Sequence, residues 1–220
     1  MLILGISTSS RYPSAALMRD GSVIASRADT SGRSHSATLM ALIEGVLGDA
    51  NVAKSDLDGI AVDIGPGSFT GVRIGVSCAN AMAYALGIPV TPVCSLAALR
   101  HAVPKAGVVC ALIDARNGNG YAAAYEDGAE KLAPCPCVIE ELLESIPSEG
   151  AVFVGDVKDI CIEQSPTAEL VLKEAWERNG GEKSGIAHVS DDSSETAARP
   201  SEAVPMYLRP SQAERMKKDN

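Results

Sequence analysis

An internal repeat constrains the fold of this sequence more than any other feature. Asp20-Gly21 and Asp127-Gly128 are two-residue hairpin signals, and each follows a β-compatible segment. A shift of 107 residues superimposes the two signals and also places Ser7 on Asp114, with no gap between them. Coincidence is one explanation, because Asp-Gly turns are common, but we favour a duplicated domain.

The first half of the chain follows the order βββαβαβ. Short β-compatible segments predict a three-stranded meander, and apolar residues at helical spacing then predict two helices separated by a buried strand. The predicted elements are strands at 2–7, 14–19 and 22–27, a helix at 37–47, a strand at 59–65, a helix at 70–86 and a strand at 89–93. Alternation of this kind is typical of an α/β fold.

The second half begins in the same order and loses the pattern after Gly155. The predicted elements are strands at 107–114 and 121–126, a hairpin turn at 127–128, a helix at 138–146 and a strand at 151–155. Residues 179–194 are polar enough to form a long loop. The second copy of the repeat is therefore predicted to be the eroded one.

The repeat also predicts where the domains divide. We expect a first subdomain at 1–102 and a second, smaller and degenerate subdomain at 103–206. Ser211 and Glu214 have the spacing of a capping box, which predicts a short final helix. That helix, at about 207–220, is expected to return to the first subdomain.

Composition and charge argue against several functions. The chain of 220 residues has a formal net charge of −9 and only 4% aromatic residues, so it is poorly suited to bind nucleic acid alone. No apolar run approaches the roughly 18 residues that a membrane span requires. Six cysteines without a secretory signal predict a cytoplasmic protein with reduced thiols.

A glycine-rich turn, GPGSFTG at 65–71, lies between a buried strand and a helix N-terminus. Free N–H groups and the helix dipole favour an anion at such a place. The turn lacks the Gly-Lys-Ser/Thr ending of a P-loop, and Pro66 removes one donor. Two interpretations of this turn therefore remain, a phosphate-binding loop and a simple strand-to-helix connection.

A nucleotide site in a duplicated fold would use a carboxylate at the end of each first strand to hold a metal and phosphates. The second copy offers Asp114, but the first offers Ser7, whose hydroxyl cannot supply the missing charge. The candidate residues of a residual phosphate or nucleotide site are Ser7, Thr8, Gly65, Gly67, Ser68, Thr70 and Asp114.

Other catalytic and metal motifs are missing from the sequence. His35, His101 and His188 are far apart and none belongs to a His-x-x-x-His pair. Cys135-Pro-Cys137 lacks the second pair that a structural zinc would need, and there is no Gly-x-Ser-x-Gly elbow. We therefore expect no metal and no catalytic residue.

The two helices of the first half have unusually few charges. Arg73 is the only charged residue between 72 and 86, and Glu44 is the only acid of the first helix before Gly48. Either another protein chain or a neighbouring element of the same domain covers these helices. The candidate partner-interface residues are Leu39, Met40, Ile43, Leu47, Arg73, Val76, Ser77, Asn80 and Tyr84.

Four segments, in order along both halves, resemble the TsaB (YeaZ) family. They are ILGISTSS, GPGSFTGVRIG, IDARNGNGYAAAY and PMYLRPSQAER, of which the second and fourth are the specific ones. The resemblance implies a duplicated actin-like (RNase H-like, βββαβαβ) ATPase fold of the ASKHA superfamily. It also implies a role in making threonylcarbamoyladenosine at position 37 of tRNAs that read codons beginning with A.

The family is understood as a non-catalytic relative and partner of TsaD, the transferase subunit, acting together with the ATPase TsaE. The resemblance therefore implies a scaffold that forms homodimers, pairs with TsaD through its first-domain helices, and meets tRNA only through the complex. Ser95 and Leu99 stand where TsaD has the histidines of a metal motif. No cofactor is expected for the isolated chain, and ATP or ADP within the complex is left open.

Two other functions are alternatives to the scaffold. One is an active ASKHA enzyme, either a small-molecule phosphotransferase or a glycoprotease-like metallopeptidase. The other is a tRNA-binding module, which the acidic charge disfavours. ATP turnover, a tightly bound metal or salt-sensitive tRNA binding by the chain alone would favour these alternatives.

Overall fold

The computed structural model describes residues 1–103, 107–146, 150–181 and 202–208. It contains two five-stranded mixed sheets, one in each half, flanked by helices. The elements of the first half are β1 (Leu2–Ser7), β2 (Ser14–Arg19), β3 (Ser22–Ala28), α1 (His35–Asp49), β4 (Gly59–Asp63), α2 (Phe69–Leu86), β5 (Val90–Val93) and α3 (Ser95–Leu99). Short 3-10 turns occupy Lys54–Asp56 and Arg100–Ala102.

The second half repeats the arrangement of the first. Its elements are β6 (Val108–Asp114), β7 (Asn119–Glu126), β8 (Ala129–Val138), α4 (Ile139–Ser145), β9 (Ala151–Gly155), β10 (Ile162–Glu163) and α5 (Ala168–Arg178). The strand orders are β3-β2-β1-β4-β5 and β10-β9-β6-β7-β8, which are the same order when each half is counted from its first strand. This repeated topology confirms the predicted duplicated actin-like α/β fold.

The erosion of the second copy consists of one missing helix. In the first half α2 connects β4 to β5, whereas residues 156–161 form only a short turn between β9 and β10. The predicted loss of the pattern after Gly155 coincides with this missing helix, although β10 and α5 still follow it. The helix α5 escapes a simple pattern search because Glu174 lies on its buried face.

The last helices of the two halves pack across the domain boundary. The helix α5 of the second half lies on the first sheet, so closely that a Cβ on Gly5 would come within 2.6 Å of the Leu172 side chain. The helix α3 of the first half in turn packs against β6 and β7. Buried residues from both halves therefore form one central core, which crosses the predicted boundary at 102/103.

A second core lies on the other face of the first sheet, beneath α1 and α2. Buried residues of β1, β2 and β4 contact Ile43 and Val46 of α1 and Val76 and Ala83 of α2 there. In the parts of the chain that the structure describes, no helix is long and apolar enough to cross a membrane.

Two predicted segments lie largely outside the described residues. Of the loop predicted at 179–194, only 179–181 are described, and of the final helix predicted at about 207–220, only Tyr207 and Leu208. Residues 202–208 lie along α2 and the end of β4 of the first half, where the Met206 N–H donates to the Ile64 carbonyl at 2.7 Å and the Asn80 side chain contacts Ala203.

Candidate functional site

The ends of β1 and β4 meet the start of α3 at a buried carboxylate, Asp63. Its two oxygens accept hydrogen bonds from the Ser7 hydroxyl at 2.8 Å, the Ser95 hydroxyl at 2.5 Å, the Gly65 N–H at 2.9 Å and the Ser9 hydroxyl. The residue is fully buried. The sequence analysis missed Asp63, although a single acid in the apolar segment GIAVDIG was a usable signal.

Burial is the largest influence on the Asp63 carboxyl and raises its pKa, while the hydrogen bonds from Ser9, Ser95, Gly65 and Ser7 act in the opposite direction. Each carboxylate oxygen already accepts two hydrogen bonds, so both are saturated by this chain. The arrangement joins β1, β4, the glycine-rich turn and α3 at one point.

Ser7 does not replace the carboxylate that a nucleotide site would have at the end of the first strand. Its hydroxyl lies between Asp63 and the carbonyl of Pro166, which is 3.1 Å away in the segment leading into α5. The first N–H of α5, on Ala168, donates to Ser14 at 3.0 Å. The second half of the chain therefore covers the end of β1.

Three amides of the glycine-rich turn, those of Gly65, Ser68 and Gly71, make hydrogen bonds within the chain. The Ser68 N–H donates to the Ser9 carbonyl at 2.7 Å, and the Gly71 N–H lies 3.2 Å from the Ser68 side-chain oxygen. Gly65 has a φ of +94°, which favours glycine, and precedes a cis peptide bond to Pro66. The Ser68 amide thus joins the turn to the segment after β1, and the Gly71 amide is used in capping α2.

Close packing explains two glycines of the motif. A Cβ on Gly71 would lie 2.0 Å from the Thr8 carbonyl oxygen, and one on Gly75 would lie 2.2 Å from the Thr8 hydroxyl. The Thr8 hydroxyl donates to the Gly71 carbonyl at 2.7 Å. Glycine is required because the segment after β1 lies directly against α2.

The remaining candidates of the nucleotide site lie apart from this cluster. Thr70 is exposed on the first turn of α2. Asp114 is exposed at the end of β6, where its N–H donates to Asp156 at 2.7 Å and its carboxylate accepts from the Arg116 N–H. Within the described residues, no hydrogen bond or ion pair connects Asp114 to Asp63.

The other polar candidates also have partners inside the chain. The Ser95 hydroxyl binds Asp63, and Leu99 is buried in the central core. His101 lies 2.8 Å from Glu174, and His35 lies 2.8 Å from the Ser10 carbonyl. Among the described residues, which do not include His188, no three His, Cys, Asp or Glu side chains are placed to hold a metal ion.

The predicted interface residues divide into buried and exposed groups. Four of them are buried beneath α1 and α2 in the core of the first half: Leu39, Ile43, Leu47 and Val76. The expectation that they lie on an uncovered side is therefore wrong for these four. A helix that is apolar all round does not reveal which side faces the sheet, so the sequence alone could not separate them.

Part of the predicted interface is covered by the chain's own residues 202–208, which we call the strap. The Asn80 side chain makes two hydrogen bonds to the backbone of Ala203, at 2.9 and 3.0 Å. Arg73 donates to the Tyr207 hydroxyl at 2.8 Å, and its guanidinium lies 3.8 Å from the centre of the Phe69 ring. No local pattern indicated the contacts of Asn80 with Ala203 and of Arg73 with Tyr207, because they join residues more than 120 positions apart.

The rest of the helix surface faces solvent and carries few charges, with Glu44 and Asp49 of α1 as its acids. Tyr84 is 76% exposed and Met40 is 42% exposed, with small side chains between them. We call this surface the α1–α2 face and define it by the following exposed or half-buried residues: Met40, Ala41, Ser77, Cys78, Ala81, Met82, Tyr84 and Ala85.

Comparison with known proteins gives the family. A protein-family model described as TsaD, tRNA N6-adenosine threonylcarbamoyltransferase, matches residues 22–156. The chain is 39% identical over 130 residues to TsaB of Bacillus subtilis, a match covering 57% of this chain and 56% of that protein. The solved structure of YeaZ from Pseudomonas aeruginosa superimposes with a TM-score of 0.68 at 27% identity, over 94% of this chain and 99% of that one. The chain belongs to the TsaB/YeaZ family.

Similarity to other proteins extends over almost the whole chain. An uncharacterised protein of Mycobacterium tuberculosis is 30% identical over 218 residues, which cover 94% of this chain and 91% of that protein. In contrast, the matched segment spans only about half the length of the relatives that carry the TsaB name. The resemblance seen in the four sequence segments is thus confirmed at the level of the family.

Proposed function

We propose that this chain is a non-catalytic docking subunit in the formation of threonylcarbamoyladenosine in tRNA. In this proposal it pairs with a TsaD-like transferase, works with a TsaE-like ATPase in the cytoplasm, and meets tRNA through the complex. The names of its relatives refer to this modification. The net charge of −9 fits a subunit that does not hold tRNA by itself.

The observation that carries the proposal is the α1–α2 face. In a chain with this much negative charge, water-facing helix surfaces ordinarily carry charged side chains, yet this one exposes Tyr84 and Met40 among alanines, a serine and a cysteine. Small side chains allow close helix approach, and exposed tyrosine and methionine are enriched in protein interfaces. A pair of helices from a TsaD-like subunit, or from a second copy of this chain, would fit as a four-helix seam.

The non-catalytic part of the proposal rests on the strand ends. A nucleotide needs free amides at the glycine-rich turn and a carboxylate at the end of β1. Here Ser68 and Gly71 use their amides internally, and Ser7 lies between Asp63 and Pro166. These residues do not fit a nucleotide in the chain's own cleft, so we assign no step of the reaction to it.

Substitution of Tyr84 tests the docking proposal directly. Tyr84→Asp places a charge at the most exposed large side chain of the face, and we expect binding to a TsaD-like subunit from the same organism to weaken at least about tenfold. Ile162→Asp is the matched control, because Ile162 is 56% exposed but lies on β10 of the second half. Unchanged binding of Tyr84→Asp, measured by calorimetry on folded protein, would contradict the proposal.

A cellular experiment tests the pathway independently of the face. After depletion of this protein, mass spectrometry of tRNA nucleosides should show the loss of threonylcarbamoyladenosine. Complementation with Tyr84→Asp should fail to restore the nucleoside, whereas complementation with Ile162→Asp should restore it. Normal levels of the nucleoside after depletion would refute the proposed function.

A further inference from the structure

Three sulfur atoms meet between α1 and α2 at the side of the α1–α2 face. The Cys78 Sγ atom lies 3.7 Å from the Met40 Sδ atom and 4.0 Å from the Met82 Sδ atom. Cys78 and Met82 are one turn apart on α2, and Met40 approaches from α1. We call these three residues the sulfur cluster. All three are exposed or half-buried, so an ion in solution can reach them.

The two distances from the Cys78 sulfur to the methionine sulfurs match those of a three-coordinate metal site. Three sulfurs placed symmetrically in a plane around one ion, with metal–sulfur bonds of about 2.3 Å, lie about 4.0 Å from one another. The two distances in the sulfur cluster, 3.7 and 4.0 Å, are close to this value. Binding of an ion would complete the triangle by bringing the Met40 and Met82 sulfurs, which belong to flexible side chains, to the same separation.

The ligand types select the ion. Thiolate and thioether sulfurs are soft ligands, which favour Cu(I) and its analogue Ag(I) over Mg²⁺ and Ca²⁺. The cluster contributes no carboxylate or imidazole. We propose that Cys78, Met40 and Met82 form a binding site for a monovalent soft metal ion, Cu(I), with Cys78 as the thiolate ligand.

The charge and the protons balance without an oxidant or a reductant. Cys78 transfers its thiol proton to solvent when the Cu(I)–sulfur bond forms, and the metal keeps its oxidation state. The thiolate neutralises the single positive charge of the ion, and the two thioethers add no charge. A neutral site is compatible with the apolar surroundings of α1 and α2.

The site can be tested apart from the other thiols. Cys135, Cys137 and Cys161 are half-buried free thiols that could bind copper themselves, so the experiment uses the full chain with all three replaced by serine as its reference, which leaves only the buried Cys94 and Cys110 besides Cys78. Cu(I) is titrated without oxygen against a coloured Cu(I) chelator, and Ag(I) is used in a parallel calorimetric titration. We expect one tightly bound ion per chain.

Two methionine variants then distinguish the cluster from adventitious binding. Met40→Leu and Met82→Leu conserve volume, so the fold should persist, and each should weaken Cu(I) binding at least about tenfold. Met206→Leu, which removes a thioether outside the cluster, should leave binding unchanged. X-ray absorption should show three sulfur neighbours in the reference protein and two in Met40→Leu.

Two outcomes would overturn the proposal. One is the absence of a tightly bound ion in the reference protein. The other is an unchanged affinity in the double variant Met40→Leu/Met82→Leu, since the ion would then be held by other groups. Neither outcome bears on the docking function, which is measured without metal and through Tyr84.

Discussion

The two halves of the molecule share one sheet topology but differ in what covers the outer face of the sheet. In the first half α1 and α2, of 15 and 18 residues, cover a large core. In the described residues of the second half, α4, of seven residues, and the turn at 156–161 cover it, and that cluster contains three buried residues. The fold therefore tolerates the loss of one helix, and the helix is kept in the half that carries the exposed α1–α2 face.

The acids at the strand ends differ between the halves in the same way. Asp63 is enclosed by hydroxyls and an amide, whereas Asp114 and Asp156 lie exposed at the ends of β6 and β9. Partial desolvation raises the pKa of Asp156, and the Asp114 carboxylate adds to this effect. In the first half Asp63 therefore joins several structural elements, whereas in the second half Asp114 and Asp156 lie at the surface.

The largest loss of stability is expected when the buried contact between the two halves is removed. Glu174 of α5 lies 2.9 Å from Arg100 and 2.8 Å from His101, and the side chains of Arg100 and Glu174 are 9% and 5% exposed. Glu174→Ala leaves these groups buried without their carboxylate, and we expect a loss of about 3–5 kcal/mol in the free energy of unfolding. Urea denaturation measures it.

A surface ion pair provides the control for Glu174. Glu44 lies 3.3 Å from Lys54 in an exposed pair, so Glu44→Ala should change stability by less than about 1 kcal/mol.

The Glu174 contact should also depend on pH. Burial acts to raise the pKa of Glu174, but hydrogen bonds and charge interactions with His101 and Arg100 outweigh burial, so the pKa is lowered from 4.5. The stabilisation is therefore present above pH 4.5 and lost as the pH falls below it. Equal losses of stability in Glu174→Ala and Glu44→Ala would contradict the view that burial makes the Glu174 contact the stronger one.

Exchanging the residues that end β1 and β6 tests the comparison at the strand ends. Ser7→Asp places a second carboxylate beside buried Asp63, and we expect a loss of about 3 kcal/mol at pH 8. The buried carboxyls would have raised pKa values, so their destabilisation should deepen as the pH rises and shrink at pH 5. Thermal unfolding at both pH values measures this.

The reverse exchange, Asp114→Ser, is the matched control for Ser7→Asp. Asp114 is exposed, so its replacement should change stability by less than about 0.5 kcal/mol. Neither variant should bind Mg-ATP in a calorimetric titration. A Ser7→Asp variant that is as stable as the original chain, or that binds nucleotide, would show that the cleft is open.

The close approach of α2 to β1 predicts a smaller effect. Gly71→Ala brings a Cβ against the Thr8 carbonyl, and we expect a destabilisation of about 1–3 kcal/mol in chemical denaturation. Gly48→Ala is the control on α1, where nothing lies within 4 Å of the added carbon, and it should be neutral or stabilising by up to about 1 kcal/mol. The same cost for both substitutions would argue against the packing explanation.

The smallest effect is expected at the strap. Asn80→Ala removes both hydrogen bonds to Ala203, so residues 202–208 should exchange their amide hydrogens faster, with a global loss of about 1 kcal/mol. Ser77→Ala, one turn earlier and exposed, should leave exchange unchanged. Unaltered exchange in Asn80→Ala would mean that other contacts hold the strap.

Local patterns predicted most of the first half. Short β-compatible segments and the Asp20-Gly21 turn located β1 to β3, and α1 and α2 begin and end within two residues of their predicted bounds. By contrast, β10 has only two residues, too few for any pattern, and α3 has only five.

The site was harder to predict because its contacts are long-range. Asp63, Ser95 and Pro166 come together only through the parallel pairing of β4 and the packing of α5, which no local spacing encodes. The apolar residues of α1 gave the right helix but not its orientation, so Ile43 was assigned to a surface when it belongs to the core. Whether a helix residue is exposed depends on which element packs against it, and the topology of the fold determines that element.

The position of the strap has a practical consequence for experiments. Val204 and Tyr207 are 68% and 49% exposed, and they lie beside the helix that we propose as the docking element. A fluorophore attached at residue 204 would sit close enough to sense the arrival of a second polypeptide. A bulky protein fused at residue 204 would interfere with the partner binding that it was meant to detect.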